Sequence, residues 1–279
     1  MEHRTARVNG IRMHYVVEGS GPPVVLLHGW PQTWYCWRKI IPTLARRYTV
    51  LAPDLRGYGD SDKPSTGYDK RTMASDVHEL ARGLGHARIR LVGHDRGARV
   101  AHRYALDHED AVERLALLDI IPTRITFARL DARSARDHWH WLFHQVPDLP
   151  ELLVGANVEA YLRYFFHAWS DQTGVFTPED VRVYVHAFSQ PGALRAGFDD
   201  YRAGATIDLE QDAADATRRL KPPLLVLWGG EGRRGKSEVL DVWRGVADDV
   251  RGEPILHCGH FLPEEQPDVV SAKLLDFLA

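Results

Sequence analysis

An α/β protein with a mostly parallel central sheet and a large helical insertion is the fold class this sequence predicts, on three observations. Apolar runs of strand length recur at Val24–Leu27, Thr49–Ala52, Ile89–Val92, Arg114–Leu118 and Pro223–Trp228, as expected of strands covered on both faces. Helix-compatible segments separate them at Thr33–Arg47, Thr72–Leu84 and Ala98–Leu106. From Ile121 to about Arg219 the alternation stops, and the chain becomes helical in character and rich in Trp, Tyr and Phe. The pattern reads as one α/β core, residues 1–121 and 220–279, interrupted by a helical cap over 122–219.

Taken in order, Ile11–Val17 alternates as a half-buried strand does and ends at the turn Gly19-Ser20-Gly21-Pro22-Pro23. Val24–Leu27 runs into His28-Gly29-Trp30-Pro31, and Thr49–Ala52 into a polar loop over residues 53–68. Ile89–Val92 leads to the tight turn Gly93-His94-Asp95-Arg96-Gly97, and Arg114–Leu118 stops at Asp119. A short last strand, Pro254–Leu256, precedes His257-Cys258-Gly259-His260, and the helical stretch Pro267–Leu278 closes the chain.

Composition bounds the function. The 279 residues are 44% hydrophobic, enough for one large core. A net charge of −3 offers no basic footprint for nucleic acid and no polybasic membrane patch. Cys36 and Cys258 are too few for a disulfide framework and lack metal-ligand spacing. The N-terminal MEHRTARVNG is too polar for a secretory signal, and no apolar run nears the ~18 residues of a membrane span. A soluble cytoplasmic protein without nucleic-acid or membrane partners is expected.

The chemistry gathers where strands end. Gly-x-Asp-x-Gly between a strand and a helix is the nucleophile elbow, with aspartate where serine hydrolases carry serine. Asp95, Asp119 and His260 each follow a strand, and strand C-termini of parallel sheets are where sites assemble. They read as nucleophile, orienting acid and general base. Glu231, in the Gly-rich loop after Trp228, is a second candidate for the acid. Arg96 and Arg99 stand i, i+3 on one helical face beside the nucleophile and suit capture of a carboxylate. Two motifs point elsewhere and are set aside. Gly230-Glu231-Gly232-Arg233-Arg234-Gly235 matches a dinucleotide fingerprint, yet stands near the end of the domain rather than in its first βα turn. His140 and His144 are spaced like zinc ligands, but Trp141 replaces the general-base Glu of that motif. No metal and no cofactor is expected.

His28-Gly29-Trp30-Pro31, Pro53-Asp54-Leu55-Arg56-Gly57-Tyr58-Gly59-Asp60-Ser61, the Asp elbow and Gly259-His260 resemble the α/β-hydrolase superfamily. Gly93-His94-Asp95-Arg96-Gly97-Ala98-Arg99, Leu117-Leu118-Asp119-Ile120 and His140-Trp141 resemble its fluoroacetate (haloacetate) dehalogenases. That resemblance implies the α/β-hydrolase fold and hydrolytic removal of halide from small 2-haloacids through an ester on Asp95. It implies His260 as base, Asp119 as acid, and backbone N–H groups of Trp30 and Arg96 as the oxyanion hole. It further implies Arg96 and Arg99 on the substrate carboxylate, His140, Trp141 and Tyr201 around the halide, and a homodimer. An epoxide hydrolase sharing the Asp–His–acid set is the alternative, with lid tyrosines to protonate the epoxide oxygen.

Overall fold

In the computed structural model, which describes residues 1–232 and 238–279, an eight-stranded sheet runs through the molecule. The strands are β1 (Glu2–Val8), β2 (Ile11–Glu18), β3 (Pro23–Leu27), β4 (Thr49–Pro53), β5 (Ile89–His94), β6 (Val112–Leu118), β7 (Leu224–Gly229) and β8 (Val250–Ile255). Their order across the sheet is β1-β2-β4-β3-β5-β6-β7-β8. Only β2 against its two neighbours pairs antiparallel; β4 through β8 are parallel. The period of two sends Val25, Leu27, Leu91, Leu115, Leu117 and Val226 to one apolar layer. Val24, Leu26, Val92, Ala116, Leu118, Leu225 and Leu227 go to the other. Helices on both faces therefore bury the central strands completely, which is why these stretches carry no polar alternation.

Between β6 and β7 the described chain forms eight helices, from Thr123–Ala128 to Ile207–Ala214. Thr177 closes one of them with a reciprocal capping box to Asp180, and Asp131 closes another with Ser134. No described helix is long and apolar enough to cross a membrane.

Three elements differ from the sequence expectation. Glu2–Val8 is a strand, paired along its length with β2 through the turn at Asn9-Gly10. It lies at the sheet edge with mostly exposed residues, so burial leaves little mark on it. Thr33–Arg47 forms two single turns, Trp34–Trp37 and Ile41–Leu44, rather than one helix, with Pro42 opening the second. The final strand begins at Val250, four residues before the apolar signal, because an edge strand needs only backbone pairing. Arg233–Ser237 lie outside the described residues, and with them the second half of the Gly230–Gly235 run.

Candidate active site

Parallel pairing of β3, β5, β6, β7 and β8 brings the ends of these strands to one edge of the sheet. Asp95 follows β5 directly and opens the helix Asp95–Asp107 with φ 48°. Such left-handed backbone costs a non-glycine residue on the order of 1–3 kcal/mol and persists where the surroundings over-determine it. The helix leaves so close to β3 that a Cβ on Gly97 would stand 2.2 Å from the His28 carbonyl oxygen. Strand, bend and helix thus hold the carboxylate at a fixed point above the sheet.

Its two oxygens are not equivalent. The Trp30 backbone N–H donates to Oδ1 at 3.0 Å, while Oδ2 lies 3.7 Å from His260 Nε2. His260 reaches across from the loop after β8, and its Nδ1 stands 2.5 Å from Asp119 Oδ2. Asp119, at φ 57° after β6, accepts a further bond on Oδ1 from the Gly229 N–H at 3.2 Å. A carboxylate on Nδ1 places the imidazole proton there and leaves Nε2 as an acceptor. Nε2 has no hydrogen-bond partner among the described residues and faces Asp95. Glu231 sits on the wall of the site, but the acid bonded to Nδ1 is Asp119.

The electrostatics favour the charged form of Asp95. Burial alone would raise the Asp95 pKa, but His260, His94, Arg96 and Arg99 outweigh it and hold the carboxyl below its usual range. Burial, and then the neighbouring His260, push His94 down to about 4. His94 is therefore neutral at working pH, and its Nε2–H donates to the His260 carbonyl at 2.7 Å.

A cavity of about 290 Å³ opens over Asp95. Arg99, His140, Trp141 and His260 line it, with Asp171 and Glu231 on its exposed side. The Arg99 guanidinium carbon lies 4.8 Å from the centre of the Trp141 ring. Its Nη1 donates to Thr123 Oγ1 at 2.8 Å and to the Ile121 carbonyl at 3.3 Å, which sets the position of the fork. In the run His138-Trp139-His140-Trp141, His140 and Trp141 face the cavity together with His138. Trp139 turns away and stacks on Phe165.

Two expected site residues are not on that wall. Arg96 is 1% exposed and donates to Asp200 through Nε at 3.0 Å and Nη2 at 2.5 Å, with a second Nη2 bond of 2.7 Å to the Asp200 carbonyl. Asp200 also pairs with Lys70 and accepts from the Tyr58 hydroxyl at 2.7 Å. The Arg96 fork is thus occupied by the protein's own carboxylate and is not presented to a substrate. Tyr201 lies beneath Arg96, its ring centre 4.4 Å from the guanidinium carbon, and packs on His144 behind the wall. Burial, helped by the charge of Asp95, keeps its phenol protonated. Of the two backbone groups expected as the oxyanion hole, Trp30 and Arg96, it is the Trp30 N–H that bonds the resting Asp95 carboxylate among the described residues. Trp30 contributes its backbone alone, its ring packing into an aromatic layer with Phe165, Phe188 and His144.

The Arg96–Asp200–Lys70 cluster carries a stability prediction. Breaking a buried ion pair from one side costs about 3–5 kcal/mol. Asp200→Asn is expected to lower unfolding free energy by about that much, measured by urea titration. Burial would raise the Asp200 pKa, but Arg96 and Lys70 depress it overall. A depressed acid stabilises the fold above its ordinary unfolded pKa, and that contribution is lost as pH falls through the folded value. The difference between Asp200→Asn and the parent should therefore shrink below about pH 4.

The α/β-hydrolase fold family model matches residues 22–267. A soluble epoxide hydrolase from Corynebacterium sp. (strain C12) is 45% identical over 99% of this chain and 97% of its own length. A fluoroacetate dehalogenase from Burkholderia sp. is 42% identical over 100% and 94%. The chain belongs to the α/β-hydrolase superfamily. It is a hydrolase, and both relatives align with it along nearly its whole length. A solved α/β-hydrolase structure from Nostoc sp. PCC 7120 superposes with a TM-score of 0.97 at 46% identity, covering 100% of this chain and 98% of that one.

Proposed function

We propose that this hydrolase removes halide from small 2-haloacids such as fluoroacetate and chloroacetate, giving the 2-hydroxyacid. The observation that carries the reading is Arg99, a guanidinium on the wall of a small cavity that also holds the nucleophile. A fixed cation beside an attacking carboxylate seats an anion and aims its α-carbon.

In the first step Asp95 Oδ2 bonds to the α-carbon, and the carbon–halogen bond breaks with its electron pair leaving on the halide. Imidazole N–H of His140 and indole N–H of Trp141 meet the departing charge, each charge-assisted bond worth roughly 1.5–3 kcal/mol. A serine in the same place would leave an ether that water cannot open; aspartate leaves an ester whose carbonyl belongs to the enzyme. In the second step His260 Nε2 takes a proton from water, and the hydroxide adds to the Asp95 carboxyl carbon. The Trp30 N–H holds the oxyanion. Collapse returns the proton to the departing alkoxide, and the regenerated carboxyl loses its own proton to solvent. The balance is haloacid plus water to hydroxyacid, halide and a proton.

Epoxide hydrolysis through the same ester is the second reading, favoured by the 45% identity to the soluble epoxide hydrolase. That reading requires a lid tyrosine to protonate the epoxide oxygen; Tyr201 is protonated, its ring centre 5.6 Å from that of His140, and it would have to reach the cavity from behind the wall. Incubation with fluoroacetate, chloroacetate and styrene oxide, read by a halide electrode and product analysis, separates the two. Halide release with no diol is the expected result; diol formation with no halide would replace the first reading by the second.

A further inference from the structure

Glu265 is a buried carboxylate, 6% exposed, that pairs with no cationic side chain among the described residues. Its ligands are backbone amides. Oε1 accepts from Phe261 N at 2.9 Å, and Oε2 accepts from Gly259 N at 2.9 Å, the two amides that flank His260. Oε2 also accepts from Asp171 N at 2.8 Å, across in the helical insertion. The Gln172 N–H adds a longer bond of 3.5 Å to Oε2. Desolvating a charge is unfavourable unless hydrogen bonds replace its water, and these four amides do so. Beside them the His260 N–H donates to the Trp169 carbonyl at 2.8 Å. The approach is close enough that a Cβ on Gly259 would stand 2.3 Å from that oxygen.

We propose that Glu265 is a positioning residue for the general base. It grips the N–H groups of the residues on both sides of His260 and ties them to the insertion, so that Nε2 points at the water that opens the Asp95 ester. The inference rests on the covalent mechanism proposed above, but not on which substrate forms the ester. It makes a distinction that a purely structural role does not. Attack by Asp95 needs no base, whereas hydrolysis of the ester does. Loosening His260 should slow the second step alone.

The test is rapid-quench kinetics with intact-mass detection of the alkylated protein, run with chloroacetate and with styrene oxide. Glu265→Gln keeps the volume but presents an NH₂ where an amide N–H now donates. Glu265→Asp keeps the charge and shortens the reach, and supplies the same readout should the first variant fold poorly. His260→Gln is the reference for a missing base. In the Glu265 variants alkylation should stay within about threefold while ester hydrolysis slows about tenfold or more, part of the 10²–10⁴ a placed base contributes. The protein should then accumulate as its adduct. Equal slowing of both steps, or hydrolysis at the parent rate, would overturn the proposal. Adduct in His260→Gln but in neither Glu265 variant would overturn it while sparing the covalent mechanism. Adduct in none of the three would remove both.

Discussion

Asp95→Asn should lose turnover by about 10⁶-fold, the scale of loss when a covalent nucleophile is removed. The fold should survive the change. Asn tolerates the left-handed backbone that Asp95 adopts, and its amide oxygen can still accept from the Trp30 N–H. What disappears is the charge that His260, His94, Arg96 and Arg99 together keep ionised against burial. Steady-state halide release by freshly purified variant, with its melting temperature beside the parent's, checks both halves. Parent-like activity would exclude Asp95 as the attacking group.

The second large effect belongs to Arg99. Arg99→Leu should raise KM for chloroacetate about 10²-fold, equivalent to losing about 3 kcal/mol of charge-assisted bonding to the carboxylate. Arg99→Lys should recover little of it, since an ammonium cannot reproduce a fork. The fork is set by Ile121 and Thr123, where the core passes into the helical insertion, rather than by the mobile reach of the side chain. The kcat on chloroacetate and the melting temperature are the controls; an equal fall in kcat with a lowered melting temperature would mean that Arg99 serves the architecture and not the anion.

How much of this was legible beforehand depended on the range of the interaction involved. The elbow is local: a bend closed by Gly93 and Gly97 next to Asp95 can be read from five consecutive residues, and so can its place after an apolar strand. The meeting of Asp119 and His260 was legible because parallel strands bring their ends to one edge. Arg96 was misjudged. Helical spacing puts it beside Arg99, but its destination is set by Asp200, 104 residues away, and nothing near Arg96 announces that partner. Tyr201, the next residue along, follows Asp200 behind the wall. Glu265 escaped notice for a similar reason. Its ligands are amides, which have no letter in a sequence, and only its spacing of five residues after His260 offered a hint. The first strand has a local mark: Val8-Asn9-Gly10-Ile11 carries the strongest short hairpin signal, a two-residue Asn-Gly turn between strands.

The unequal surroundings of the two Asp95 oxygens also determine the fate of individual atoms. On the proposed route the oxygen facing His260 is the one that joins the substrate and departs with it, and the atom delivered from water takes its place. The oxygen fastened by Trp30 remains through both steps. On the proposed route the enzyme exports one of its own atoms with every molecule it converts, so its side chain is a carrier that solvent refills.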